Sequence, residues 1–432
     1  MIYDLVIIGL GPAGYTAGVR AIKQGLKVAV VERDRAGGTC LNRGCIPMKT
    51  LLHSAKVYDE RLSFDELGIT GDIAFDSSKV YLRKNEISQK LSSGVESLLK
   101  GADIFKCDAE VFDGYVMADG QKIEYKNLVI ATGSKPFMPK IEGIEKALNS
   151  DDVFAAEPEG DRLVIIGGGV IGMEFATYFS YTGKTVTVVE GTDRVLPMFS
   201  KEISTQIASL LRQKGVTFKT GVTATEIGDG FVELSGGERI ECDNAICAVG
   251  RAACLDGLES LNLELERGYI KVDNNFQTNV KQVYAIGDVT GKCQLAHYAS
   301  AEGVNVVDVI LGKKQSVDLS VVPSCVYTYP QIASVGKTEG ESVSKFMTGG
   351  NAKSIIEGYS RGFVKLYADG KVIVGAELFC DNATELISEL AVAIANKLKI
   401  EDVAKVIHPH PTVSESVSEA VWDFTGLATH KR

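Results

Sequence analysis

Short, wholly apolar runs alternate along the chain with glycine-rich breaks and amphipathic stretches, the pattern of parallel strands buried on both faces under packed helices. Residues 4–8 (Asp, Leu, Val, Ile, Ile) predict a buried strand, then a glycine turn, a helical run to about Gln24 and a strand over Lys27–Val31. The same unit recurs as a strand at Leu163–Ile166, a glycine turn, a helix to about Tyr181 and a strand at Thr185–Val189. Between the copies, residues 54–126 predict an amphipathic helix from about Val80 to Leu99, then short strands turning near Asp113-Gly114 and Asp119-Gly120. Leu128–Gly133 and Ala245–Arg251 read as strands that run into glycine turns, with Pro136 and Pro139 marking a linker, and Tyr284–Asp288 as a strand ending in Gly-Asp. From about Val321 the pattern turns strand-rich, with strands expected at Val326–Ala333, Gly362–Ala368 and Lys371–Phe379 and an amphipathic helix over Thr384–Lys399.

The repeated unit carries chemistry. Gly9, Gly11, Pro12, Ala13 and Gly14 form its first turn, and Glu32 stands 23 residues after Gly9; Gly167, Gly169 and Gly172 form the second, with Glu190 23 residues after Gly167. Glycine lets backbone amides approach a pyrophosphate at a helix N-terminus, and the acid at the next strand tip accepts from ribose hydroxyls. Two copies at one spacing predict two dinucleotide sites, which a dehydrogenase using a single nucleotide does not explain. Glu190 would repel a 2′-phosphate, so the second site is expected to take NAD over NADP; Arg194, the one nearby positive charge, reads as a solvated surface residue. The fold class expected is α/β, two Rossmann-like dinucleotide-binding domains plus a C-terminal α+β domain. Its segments are expected at 1–145, 146–265, 266–318 (a return to the first domain) and 319–432.

A length of 432 residues suits about three domains. Net charge of −10 and a pI near 5.2 argue against a nucleic-acid partner, and no run approaches the ~18 apolar residues of a membrane span. Met1 leads straight into the first strand, so the whole chain is expected to be the mature protein. Nine scattered cysteines do not form a secreted disulfide framework, and a reducing, cytoplasmic location is expected. Cys242 and Cys247 fall within the strand pattern Ile240–Val249 and read as core.

Cys40 and Cys45 are different, lying in Gly-Gly-Thr-Cys-Leu-Asn-Arg-Gly-Cys-Ile-Pro-Met-Lys, residues 37–49. On an ideal helix, residues five apart have Cα atoms roughly 8.6 Å apart, whereas a disulfide needs less than about 7 Å. Either the thiols stay unbridged, or Gly44 and Pro47 hold the segment off helical geometry and leave an easily reduced bond. A second candidate stretch is His408-Pro409-His410-Pro411-Thr412-Val413-Ser414-Glu415. The prolines and the lack of nearby thiolates argue against a metal site. A general base suits it better, with Glu415 orienting His410 and stabilising the imidazolium.

The cysteine segment, both glycine fingerprints and the His-x-His-Pro-Thr-x-x-Glu run resemble the flavin-dependent pyridine nucleotide:disulfide oxidoreductases, most closely their dihydrolipoamide dehydrogenase branch. The resemblance implies oxidation of protein-bound dihydrolipoamide with reduction of NAD+ to NADH, through a Cys40–Cys45 redox disulfide and FAD. In that relay His410 deprotonates the substrate thiol, Cys40 is attacked, and Cys45 leaves as a thiolate against the flavin. It further implies an ion pair of Lys49 with Glu174, and a homodimer in which His410, some 365 residues from Cys45, serves the opposite subunit. FAD, tightly bound at one per subunit, is expected on Gly9, Gly11, Pro12, Ala13, Gly14, Glu32, Arg33, Gly38, Thr39, Cys40, Lys49, Ala109, Ala131, Thr132, Gly133, Gly287, Asp288, Leu295, Ala296 and His297. NAD is expected on Gly167, Gly169, Val170, Ile171, Gly172, Glu174, Glu190, Val222, Val249 and Gly250. The C-terminal domain is expected to form the dimer. With no lipoyl domain in the chain, the lipoyl group must come on a carrier protein, from a 2-oxo acid dehydrogenase complex or a glycine cleavage system. Arg43, Met48 and Cys254 depart from the family pattern, and Lys337–Tyr359 is shorter than usual. The alternatives are a related disulfide reductase with another substrate, an NADH oxidase or diaphorase, and a redox-inactive interaction protein.

Overall fold

A computed structural model describes residues 2–431. Leu5–Ile8 and Val28–Val31, buried at every position, lie inside a five-stranded parallel sheet. Its order is Val283–Ala285, Leu128–Ile130, Leu5–Ile8, Val28–Val31, Asp103–Phe105. The second copy of the unit builds a second parallel sheet, in the order Leu148–Asn149, Asn244–Cys247, Arg162–Ile166, Thr185–Glu190, Thr217–Thr220. A smaller sheet accompanies each, four-stranded and mixed with the first, three-stranded and antiparallel with the second. The third five-stranded sheet is antiparallel, ordered Ser324–Val326, Gln331–Gly336, Val372–Cys380, Phe363–Asp369, Ser342–Met347. Helices Ala383–Ala395 and Glu415–Asp423 share its core.

Both nucleotide turns are shaped by close backbone approach. Gly9 has φ +97°, and a Cβ there would lie 2.4 Å from the Ala131 carbonyl oxygen; one on Gly14 would lie 1.9 Å from that of Gly9. In the second copy Gly167 has φ +110° with the Ala248 carbonyl oxygen 2.6 Å from the Cβ position, and Gly172 meets the Gly167 oxygen at 1.9 Å. Helices Pro12–Lys23 and Val170–Tyr181 start directly from these turns, so their unpaired N-terminal amides face one opening.

The expected elements shift in four places. Val326–Ala333 is two strands, Ser324–Val326 and Gln331–Gly336, because Tyr329-Pro330 turns the chain between them. Lys337–Tyr359 contains an edge strand, Ser342–Met347, in which Ser342, Ser344 and Lys345 interrupt the apolar residues, so that no apolar run marks it. Ile240–Val249 divides into Arg239–Glu241 and Asn244–Cys247, with Cys242 and Cys247 both buried. Tyr284–Asp288 is a strand only over Val283–Ala285; Gly287, at φ +74°, opens a 3-10 turn, Gly287–Thr290, that holds Asp288.

Replacing Gly172 with Ala should therefore lower stability by on the order of 1–3 kcal/mol, because backbone must move to admit the methyl group. Gly169→Ala, where the added Cβ meets nothing within 4 Å, should change it by no more than about 0.5 kcal/mol. Denaturant unfolding of both variants measures the contrast, and equal losses would refute it.

Candidate active site

The two glycine turns open onto one cavity of about 2180 Å³ that also contains Cys40, Cys45, Lys49 and Glu174. Every residue expected to meet FAD or NAD lines it, with two exceptions. Gly14 and Gly172 sit behind their turns, where their lack of a side chain lets each helix meet the turn. Glu32 accepts from the Leu10 amide at 2.6 Å and the Asp34 amide at 2.9 Å. Glu190 does the same with Gly168 at 2.7 Å and Thr192 at 2.8 Å, so each acid is anchored at its strand tip by its own loop. Arg194 donates to the Pro197 carbonyl and pairs with Asp193.

The cysteine segment is two helices, Gly38–Arg43 and Cys45–Asp59, separated at Gly44. The break replaces the continuous-helix spacing and brings the two thiols together, close enough for each to shift the other's ionisation. Gly44 permits it: a Cβ there would lie 2.9 Å from the Thr39 carbonyl oxygen and 3.4 Å from the Cys40 Cα. Pro47 falls in the first turn of the second helix, where its missing N–H costs nothing. The pair is electrically unequal. Cys45 is lowered to about 7, first by the hydrogen bond from Cys40 and then, against burial, by the Lys49 charge. The same bond, with burial, raises Cys40.

Lys49 lies one turn beyond Cys45 and donates to both Glu174 oxygens at 2.9 Å. Glu174 is 3% exposed and also accepts from the Tyr327 amide at 3.0 Å, while the Lys49 ammonium sits 4.4 Å from the Tyr327 ring centre. Burial opposes the Lys49 charge, yet Glu174 and Cys45 outweigh it and its pKa is raised.

His410 and Glu415 are not among the residues lining this cavity. Glu415 accepts at 2.9 Å from the Thr412 amide and lies 2.9 Å from His410 Nδ1, which leaves Nε2 free on a side chain that is 73% exposed. His408 is buried against Glu389 at 2.9 Å, so the two histidines have separate partners.

The sequence reading overlooked Ser134, Arg251 and Tyr327. Ser134 donates to Asp288 at 2.6 Å and accepts from Arg251 Nε at 2.7 Å, joining the ends of the two strand-to-glycine segments. Burial raises the Asp288 pKa, opposed by Ser134 and Arg251. The signal was present, since Ser134 and Arg251 each directly follow the glycine of those segments. The departures from the family pattern find places as well. Met48 is buried, Arg43 pairs with Asp34 at 2.9 Å, and the backbone of Cys254 accepts from Thr132 and donates to Gly133.

Comparison with known proteins accords with this geometry. Residues 3–303 match the family described as pyridine nucleotide-disulphide oxidoreductase, and residues 322–421 match the dimerisation domain of that family. The chain belongs to this family. It is 37% identical to a dihydrolipoyl dehydrogenase of Bacillus subtilis across 99% of both chains, and 38% identical to that of Trypanosoma brucei brucei across 97% and 95%. Among solved structures, LpdA from Mycobacterium tuberculosis superposes with a TM-score of 0.89 at 26% identity, covering 97% and 99% of the two chains. The HOCl-induced flavoprotein disulfide reductase RclA from Escherichia coli gives 0.88 at 27%, with the same coverage. Among the described residues no helix is long and apolar enough to cross a membrane.

In this oxidoreductase, Lys49→Met should raise the pKa of Cys45 above its value of about 7, because a positive charge beside a thiolate favours it. Ultraviolet thiolate absorbance of the reduced protein against pH, with Cys45→Ser to identify the signal, reads the shift. An unmoved inflection would remove Lys49 from the account.

Proposed function

We propose that the protein oxidises a protein-bound dihydrolipoamide to lipoamide and reduces NAD+ to NADH, as a homodimer with one tightly bound FAD per subunit. The observation that carries this reading is the contact between the Cys40 and Cys45 thiols in the cavity onto which both glycine turns open. Residues 1–145 and 266–318 form the FAD unit, 146–265 the NAD unit and 319–432 the dimer-forming unit.

The first glycine turn, Glu32 and the Asp288 turn suit a dinucleotide with hydroxyl-rich arms: amides for the pyrophosphate, carboxylates for the hydroxyls. Bound there, FAD would supply two-electron redox chemistry between the dithiol and NAD+. The chain's own residues do the rest. His410, oriented by Glu415, takes the proton of the incoming thiol through Nε2. In the oxidised pair the substrate thiolate attacks Cys40, the Cys40–Cys45 disulfide breaks, and Cys45 leaves as the thiolate its surroundings already favour; the substrate's second thiol then displaces Cys40 and closes the lipoamide disulfide. Lys49 holds positive charge beside it, and Glu174 keeps Lys49 in place. Because His410 stands outside its own chain's cavity, its substrate lies against the partner subunit's cysteine pair. Glu190 at its strand tip, with Arg194 already engaged, favours NAD over NADP. The lipoyl carrier belongs to a 2-oxo acid dehydrogenase complex or a glycine cleavage system, and the compartment is the reducing cytoplasm.

Anaerobic titration with dihydrolipoamide should produce a long-wavelength flavin–thiolate band, then NADH on adding NAD+ and none on adding NADP+. Cys45→Ser should abolish this turnover yet spare NADH-driven reduction of a quinone. His410→Gln should lower lipoamide turnover by about 10²–10⁴-fold, the range for losing a general base. Prompt reduction by NADH with none by dihydrolipoamide would assign a different disulfide substrate.

A further inference from the structure

Glu302 is fully buried on the helix Ala296–Ile310, a position carboxylates almost never occupy without a partner. Its Oε2 accepts from the Gly287 amide at 2.6 Å; its Oε1 is buried with no hydrogen-bond partner among the described residues. Burial pushes the carboxyl up to about 7, against the Gly287 amide and Lys292 and with the help of Asp288. Nothing in the thiol relay uses this group, and an unsatisfied buried oxygen costs about 1–3 kcal/mol.

What Glu302 holds is the turn that presents Asp288 to the cavity. A Cβ on Gly287 would lie 3.2 Å from Ala13 Cβ and 3.6 Å from Ala299 Cβ, so the turn is wedged between the first nucleotide helix and the helix that carries Glu302. The next residue, Gly303, brings those two helices together: a Cβ there would lie 2.5 Å from the Ala13 carbonyl oxygen and 3.1 Å from the Ala17 nitrogen. Glu302 and Gly303 thus join three pieces at one point: the open end of the first glycine turn at Ala13, the Asp288 turn, and the helix behind both.

We propose that Glu302 is a positioning residue for the flavin nucleotide: by gripping the Gly287 amide from inside the core, it fixes Asp288 relative to the first glycine turn. The inference rests on the reading that this site holds FAD. Glu302→Gln keeps an acceptor of the same shape. Glu302→Leu keeps most of the volume and leaves the Gly287 amide buried without a partner.

FAD release from the purified holoenzyme, followed by the rise in flavin fluorescence, separates the two. The Leu variant should release FAD on the order of tenfold faster or more, and the Gln variant within about threefold of the wild type. NADH binding at the second site should be equal in all three proteins, which shows that the remainder is folded. A Leu variant that retains FAD like the wild type, or a Gln variant that loses it as fast as the Leu variant, overturns the proposal. If the Leu variant is not recovered folded, the Gln variant decides. Near-wild-type release with the Gly287 amide protected from hydrogen exchange upholds the proposal, and release more than about tenfold faster refutes it. A wild-type protein that takes up no FAD would instead refute the reading on which the inference rests.

Discussion

The pairing of Lys49 with Glu174 is the interaction on which the rest of the site depends. Lys49 belongs to the helix that begins at Cys45, Glu174 to the second nucleotide helix, and Tyr327, which closes over both, to the segment between two strands of the third sheet. Three separately built sheets therefore meet at one charge pair, with Glu174 buried and Lys49 partly exposed. Removing Lys49 would leave a buried carboxylate uncompensated. The surrounding packing follows the same line. Met48, Leu51, Leu52 and Ala55 share one core with Phe175, Tyr178 and Phe179 and with Val326 and Ile332. Placing the redox helix in that core sets Cys45 beside the opening of both turns, and the same lysine that locks the helix biases the thiol toward its anion.

Much of this was legible in the sequence because the constraints are local. The glycine turns could be read from spacing alone, since a side chain at Gly9 or Gly167 would strike a neighbouring carbonyl whatever the rest of the chain did. The Cys40–Cys45 segment posed a geometric question that the break at Gly44 answers. Features that hid from the sequence depend on contacts between distant segments. Arg251 reaches Ser134 across 117 positions and Glu302 reaches Gly287 around a turn, and neither carries a periodic or compositional mark. The edge strand Ser342–Met347 was missed for a related reason: two serines and a lysine interrupt its apolar residues, so its identity comes from its neighbour Phe363–Asp369.

The histidine pair illustrates how near-identical chemistry separates by environment. His408 and His410 are two positions apart and each faces a carboxylate, yet His408 is buried against Glu389 while His410 projects into solvent. The His408 imidazole is largely covered and held by Glu389, which leaves it little access to a substrate. An exposed one, with one ring nitrogen fixed by Glu415 and the other free, has a defined proton-accepting atom and needs only a cysteine pair brought to it. Its own pair lies in a cavity it does not line, so two-fold assembly through the dimerisation domain is the economical way to unite them.

The two glycine turns share their backbone geometry and differ in what covers them. Over the first, the redox segment closes in: the Gly37 amide donates to the Leu10 carbonyl at 2.8 Å, and a Cβ on Gly38 would lie 2.6 Å from the Gly11 Cα. The helix carrying Glu302 adds a second wall at Ala13. Over the second, the loop after Glu190 closes in instead: Leu196 donates to the Gly168 carbonyl at 2.8 Å, and a Cβ on Gly168 would lie 2.9 Å from Val195 Cγ1, while Gly11 and Gly169 alike have nothing within 4 Å of their Cβ positions. The chain thus repeats one phosphate-binding unit and packs a different segment on each copy, the cysteine segment on the first and the loop after Glu190 on the second, so that matching backbone turns open onto one cavity with different neighbours.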